Sequence, residues 1–581
     1  MPLLMMVGCC LPDLDCLPGL LARGGLSLDP KRMLFPMFSR QPRTPSEQSA
    51  PMQGEDGDLK SQTKVPSNKG LGARLVAGIG AMGAMLVGLT LLQLASVPLF
   101  LSVWGKQIYS EWVMLVAAAA MLGAWDLGLQ MHLGSRIRHN AARGNVPDLN
   151  NVLALGTALY SVLVGTGLAL VLLLIEGLDV LERLGLSGEE PRLAALGMAV
   201  GALVLLPRGF VGSVFSARGE QHWDTGLSFF ASGLPVMAQM GAALAGWGMV
   251  GAAWAGAGTG FVASWGLTLY FLRSRHPDVH FGLRWPGREE RRYIVRKSMT
   301  HAILGASHVG VVHLPVLLIK GLTGSGGAVI AYTTMRMFSG LVRQVTGQLG
   351  VASALEMGRQ YAQKDGAGFR ALMRVATRLC GGVGGLLVGL LAGGGDDIFA
   401  IWTRGNVTFS PILGGILLVG AAVAGPVEGP MTFLRVTDQA ETLAWAAAIR
   451  FFLVLVLAVA AVPVLGGVGA ALAVVLSEWL AMLIPTLVTI CRRFDVHWLS
   501  LALPGWGAAA AGACLGWGTV MAVSTLMAPV TTVGDIVLLF VLCGLVVTPC
   551  LPFLLLSQAQ QAVFWALWRG RLTNIRGIWR R

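Results

Sequence analysis

The chain has 581 residues, 54% of them hydrophobic and only 13% charged, with a formal net charge of +13 and a mean hydropathy of +0.67. Soluble domains carry about 25% charged residues, so the composition excludes a soluble globular protein and indicates a polytopic membrane protein. The basic residues lie in short loops between apolar runs rather than on a basic domain, which argues against nucleic acid as a partner.

Residues 1–72 are polar and rich in Pro and Gly, as in PRTPSEQSAPMQGEDGD, and read as a disordered cytosolic tail. The opening MPLLMMVGCCL lacks the basic n-region of a signal peptide, and Met33, Met37 and Met52 are alternative starts. Apolar runs follow at 73–104, 111–135, 151–175, 192–216, 223–245 and 249–272, then at 299–319, 328–353, 372–395, 409–433, 442–463 and 468–491, with two more at 500–526 and 533–556. Each has roughly the twenty residues a helix needs to cross about 30 Å of hydrocarbon. The expectation is an all-α polytopic membrane protein of about fourteen transmembrane helices.

The longest connection, 273–298, is strongly basic and divides the runs into a first lobe at 73–272 and a second at 299–491. Two appended helices fill 492–556, and the tail 557–581 mixes Trp with Arg in the manner of an interfacial anchor. The basic connection is expected along an anionic inner leaflet. With the N-terminus inside, the cytosolic loops hold 23 Lys and Arg against 5 in the opposite loops, which lean acidic. By the positive-inside rule both termini are cytosolic. Two six-helix halves are also the plan of many transporters, and the turn SARGEQH after the fourth run is echoed by FLRVTDQ after the tenth.

The stretch IYSEWVMLVAAAAMLGAWDLGLQMHLGSRIRHNAARGN resembles the early signature of the polysaccharide and O-antigen flippases (Wzx-like) of the multidrug/oligosaccharidyl-lipid/polysaccharide (MOP) exporter superfamily. The matching positions are Ile108 to Trp112, the turn Asp126, Leu127, Gly128, Leu129, and Arg143, Gly144, Asn145. In the second half they are Ala331, Tyr332 and VASALEMGRQYAQKD, where the proline usual in the family is replaced near Ser353 and Ala354. In topology the resemblance spans 73–556. It implies two six-helix lobes in a MATE-like V with two extra C-terminal helices, alternating access, and transport of a polyprenyl-pyrophosphate-linked oligosaccharide across the inner membrane for exopolysaccharide or lipopolysaccharide synthesis. Polysaccharide polymerase and chain-length proteins are the implied partners.

Ionisable groups inside the runs are few: Asp126, Arg208, His301, His308, His313, Arg336, Arg343, Glu428, Arg450 and Glu478. A charge at a helix centre costs roughly 2.5–3.5 kcal/mol on insertion scales, so each must face protein or water. Arg336 and Arg343 are two turns apart on one helix face. The guanidinium fork suits pyrophosphate oxygens, making the pair the leading substrate-binding candidates; the alternative is structural pairing with Glu428 or Asp126. Arg208, between Pro207 and Gly209 at an expected kink, is a third substrate-binding candidate. Glu428 in GPVEGP, Asp126 and His308 are candidates for H⁺ or Na⁺ coupling or for ion pairing. Arg450 and Glu478 are expected to pair with each other. No Walker A loop, metal spacing or large outer loop is present, so neither direct ATP use, a resident cofactor nor enzyme activity is expected. The alternatives are a cation-coupled small-molecule exporter, a lipid II flippase, and a membrane component of a polysaccharide synthase or glycosyltransferase complex.

Overall fold

The computed structural model describes residues 68–436, 440–527 and 530–551, with side chains from 82 to 435 and from 443 onward. The expected tails, apart from 68–72, lie outside the described residues. Within them 88% of residues are helical and no strand occurs, as expected of an apolar chain that must satisfy its backbone inside lipid.

The first helix, α1, starts at Asn68 and ends at Gly105, whose φ of 70° and ψ of −179° break the helix before α2. α2 runs from 106 through a tight turn at Leu122–Asp126 and resumes at Leu129–Ala142. α3 (Val146–Gly177), α4 (Glu189–Ala217) and α5 (Gln221–Leu244) follow, then α6, from Gly248 through a wide turn at Val262–Leu267 to Arg275. The second half comprises α7 (Arg288–Thr323), α8 (Gly326–Ala362), α9 (Gly366–Gly393), α10 (Pro411–Val436), α11 (Ala440–Leu465) and α12 (Gly467–Phe494). α13 (Trp498–Leu526) and α14 (Val533–Val547) complete the chain. Eleven stretches are long and apolar enough to cross a membrane. One of them, Met82–Asp126, holds both α1 and α2, and α6 and α8 lie outside the eleven, so the described residues contain fourteen long helices.

Local chemistry sets many helix starts. The side chains of Asn145, Ser325 and Asp365 accept from the amides three residues on, and Thr532 forms a reciprocal capping box with Asp535. α4 breaks at Leu206 and Pro207, the expected kink, whereas α10 runs unbroken through Pro426 and Pro430.

In the first half α6 packs on α4 and α5, and α5 on α1; in the second, α8 and α9 pack on α10, α7 on α11 and α11 on α12. α13 lies along α9 and α14 along α13. The α9–α13 seam is a meeting of small residues. A Cβ on Gly381, Gly385 or Gly389 would strike the backbone of Gly505, Ala509 or Ala513 respectively, so the two helices touch main chain to main chain. Val87, Leu91, Phe230, Met237, Phe452, Val456, Leu503 and Val541 are exposed on the outside, a surface suited to acyl chains.

The core is continuous at one end of the molecule and divided at the other. At the end carrying the acidic loops, one cluster joins both halves through Phe100, Trp112, Met198, Ile319, Ile330, Met335, Phe399 and Leu413. At the end carrying the basic loops, Leu133, Leu153, Phe210 and Ile294 form one cluster, and Met357, Phe369, Phe433 and Ile490 another. Trp402 donates from Nε1 to the carbonyl of Leu94 at 2.7 Å, and Thr90 donates to Gln344 Oε1 at 3.0 Å, tying the halves together.

The basic connection 276–287 is a strap across the first half. Asn150 donates to the Asp278 carbonyl at 3.0 Å and accepts from the His280 amide at 3.1 Å, while the Arg284 amide donates to Ala154 at 3.2 Å. Arg218 pairs with Asp278 and Arg275 with Glu220. These bonds use several of the segment's polar groups within the protein.

Candidate functional site

α8 carries Arg336 and Arg343 on one face, as their spacing requires. Arg343 binds Glu478 of α12 through both fork nitrogens, Nη1–Oε1 and Nη2–Oε2 each 2.6 Å. Arg450 of α11 approaches the same carboxylate at 3.6 Å. Glu478 is 6% exposed and is the last residue before a wide turn at Trp479–Leu483, a distortion frequent at functional sites. One buried carboxylate therefore serves two guanidinium groups. Arg336 has no ion pair or side-chain hydrogen bond among the described residues, and its Nε is buried without a partner.

These three arginines line a cavity of about 450 Å³ between the halves, with His308 of α7 and Thr90 and Gln93 of α1 facing them. Three cations against one carboxylate leave an excess of two positive charges when His308 is neutral. In a site of reduced dielectric such an excess attracts an anion strongly, and the guanidinium forks offer paired donors to phosphate-type oxygens.

The other expected residues lie elsewhere. Arg208 is 13% exposed, donates to Ser228 and pairs at 3.4 Å with Asp224 of α5, all within the first half; it does not line the cavity. Asp126 accepts from the Tyr160 hydroxyl and from the Gln130 amide at 3.3 Å, holding the α2 turn where Leu127 and Gly128 have φ of 49° and 72°. Glu428 lies 3.6 Å from Arg435. The alternative pairing of Arg343 with Glu428 or Asp126 is thus replaced by pairing with Glu478, and the Arg450–Glu478 pair forms as expected. Arg450, read from the sequence as structural, also lines the cavity, as do Thr90 and Gln93, whose only signal is polarity inside the apolar LTLLQLAS. No group of three His, Cys, Asp or Glu among the described residues could hold a metal.

Several solved transporters share this architecture. An inward-facing multidrug resistance MATE family transporter of the MOP superfamily superposes with a TM-score of 0.58 at 17% identity, covering 70% of this chain and 94% of that one. The lipid II flippase MurJ in an inward closed conformation gives 0.58 at 10% identity, covering 81% and 98%. At these identities the likeness is one of fold: the chain shares the architecture of both structures. An outward-facing multidrug resistance MATE transporter superposes less well, with a TM-score of 0.51 at 18% identity over 73% of this chain and 95% of that one. No sequence-family profile and no curated protein matches the chain.

Proposed function

We propose that the chain is an inner-membrane flippase that moves a polyprenyl-pyrophosphate-linked oligosaccharide from the cytosolic to the periplasmic leaflet, serving exopolysaccharide or lipopolysaccharide synthesis. The observation that carries this reading is Arg336, a guanidinium with no ion pair or side-chain hydrogen bond among the described residues, in a cavity that already holds Arg343 and Arg450. An anionic pyrophosphate satisfies that excess of donors; a cationic drug does not. The basic-loop end, where the core divides, is then cytosolic. Substrate enters there, its phosphates bridge Arg336 to Arg343, and rocking of the halves exposes the site outward while the polyprenyl tail stays in lipid. A conformational change of this kind follows from unequal affinity of the two states for substrate, with H⁺ or Na⁺ coupling or downstream consumption setting direction.

The test uses Arg336→Gln, which removes a charge without breaking an ion pair. In a strain lacking the wild-type gene this variant is expected to accumulate cytosolic-leaflet lipid-linked repeat units and to make at least tenfold less polymer. Full complementation by Arg336→Gln sinks the pyrophosphate role. Likeness to multidrug transporters favours a second reading, export of a small molecule; normal polymer with altered drug tolerance in the deletion strain would select it.

A further inference from the structure

A second cavity, of about 560 Å³, lies at the basic-loop end and shares no residue with the one between the halves. Its size is within the range of about 300–1,000 Å³ typical of small-ligand sites. The wall is built from four segments: His132 and Arg136 of α2, Asp148 at the start of α3, Arg284 of the strap, and Glu290 and Lys297 of α7.

The ion pairing inside this wall is incomplete. Arg284 Nη2 donates to both oxygens of Glu290, at 2.8 and 2.9 Å, and Arg136 reaches the same carboxylate at 3.4 Å. Asp148 accepts from the Asn145 side chain at 2.7 Å, while its own amide donates back to Asn145 Oδ1 at 3.1 Å. Lys297 makes no ion pair among the described residues. With the histidines neutral, three cations face two carboxylates, and both carboxylates are already engaged. Two nitrogens in the wall, Nε of Arg284 and Nε2 of His132, are buried with no hydrogen-bond partner. A self-sufficient salt-bridge cluster would close on itself; here unpartnered nitrogens and an unpaired ammonium surround an open volume. Buried donors without partners are costly, and an oxyanion is the species that satisfies several donors at once.

We propose that this cavity is a binding site for a phosphate group, held by Lys297, Arg284 and Arg136 with His132 at its floor. Two sources present that chemistry, the headgroup of an anionic phospholipid and a free phosphate. Basic pockets beside membrane helices on the cytosolic side suit the first. The site stands independently of what the transporter carries.

Purified full-length protein is tested in two arms. Native mass spectrometry after exchange into phosphatidylglycerol or phosphatidylcholine micelles reads lipid retention, and thermal unfolding against inorganic phosphate reads the free anion. The wild type is expected to retain phosphatidylglycerol over phosphatidylcholine or to be stabilised by phosphate. Lys297→Gln is expected to weaken the response about tenfold, the loss of one charge-assisted hydrogen bond, and Lys297→Arg to restore it. His132→Gln, which breaks no ion pair, is the second variant and is expected to weaken it less. Lipid retention alone identifies a headgroup site, and phosphate stabilisation alone a soluble-anion site. No response in either arm, or an undiminished response in a folded Lys297→Gln protein, overturns the proposal.

Discussion

Glu478 is the residue on which the cavity's charge arrangement depends, because Arg343 and Arg450 share it. Removing one partner of a buried pair costs about 3–5 kcal/mol, and the exposure of Arg343 to the cavity, 34%, puts the expected loss at the lower end. Glu478→Gln should therefore unfold in detergent at a clearly lower temperature than wild type, while Arg336→Gln, with no partner to lose, should unfold close to it; equal unfolding temperatures for wild type and Glu478→Gln would show that the pair stabilises nothing. That the chain holds charged groups within its apolar runs was legible in the sequence, since they stand out against 54% hydrophobic residues. Their partners were not. Spacing of seven gives a helix face, but Glu478 lies 135 residues from Arg343, and only helix packing decides which carboxylate comes opposite. Asp126 shows the reverse case: its turn motif was legible, and its hydrogen bonds to Tyr160 and Gln130 make it a shaper of the α2 turn.

At the scale of elements, two contacts leave no room for a side chain. Gly128 sits at the α2 turn, where a Cβ would come within 2.5–2.8 Å of the Ser298 carbonyl, the Ala302 amide and His301 on α7, in a conformation that disfavours L side chains. Gly385 has the α13 backbone against it. Gly385→Leu is expected to pry α13 from α9, lowering the yield of folded protein and opening the α9–α13 region to protease; an unchanged digestion pattern would refute the seam. The strap makes a pH prediction. Hydrogen bonding from Arg275 holds the Glu220 carboxyl below its ordinary 4.5, and Arg218 does the same for Asp278 below 3.8. A depressed folded-state value means the stabilisation is complete above the unfolded value and is lost as pH falls through the folded one. Protease cutting within 276–287 should therefore stay low down to about pH 4 and rise below it. The segment's basic charge was legible in the sequence; its Asn150 hydrogen bonds, made by a residue some 130 positions earlier, have no sequence signature.

At the scale of the molecule, the fourteen long helices among the described residues and their order followed from apolar run length, because lipid leaves the backbone few alternatives. What run length does not contain is which end of the bundle is shut. The shared core around Phe100 and Phe399 and the Trp402–Leu94 bond supply that. If the halves part at this end during transport, cysteines at positions 94 and 402, joined by a short bifunctional thiol reagent, should stop transport, and a cleavable reagent should allow reduction to restore it. Transport that survives complete cross-linking would refute parting of the halves at this end. Main-chain contact at Gly381, Gly385 and Gly389 also bears on how α13 travels: with the two backbones in contact there, the helices are expected to move as one beam. Cys514 lies exposed on that beam and is a native attachment point for a spectroscopic label. Paired with a label on α5, it would read the angle between the halves directly, while its distance to α9 stays constant through the cycle.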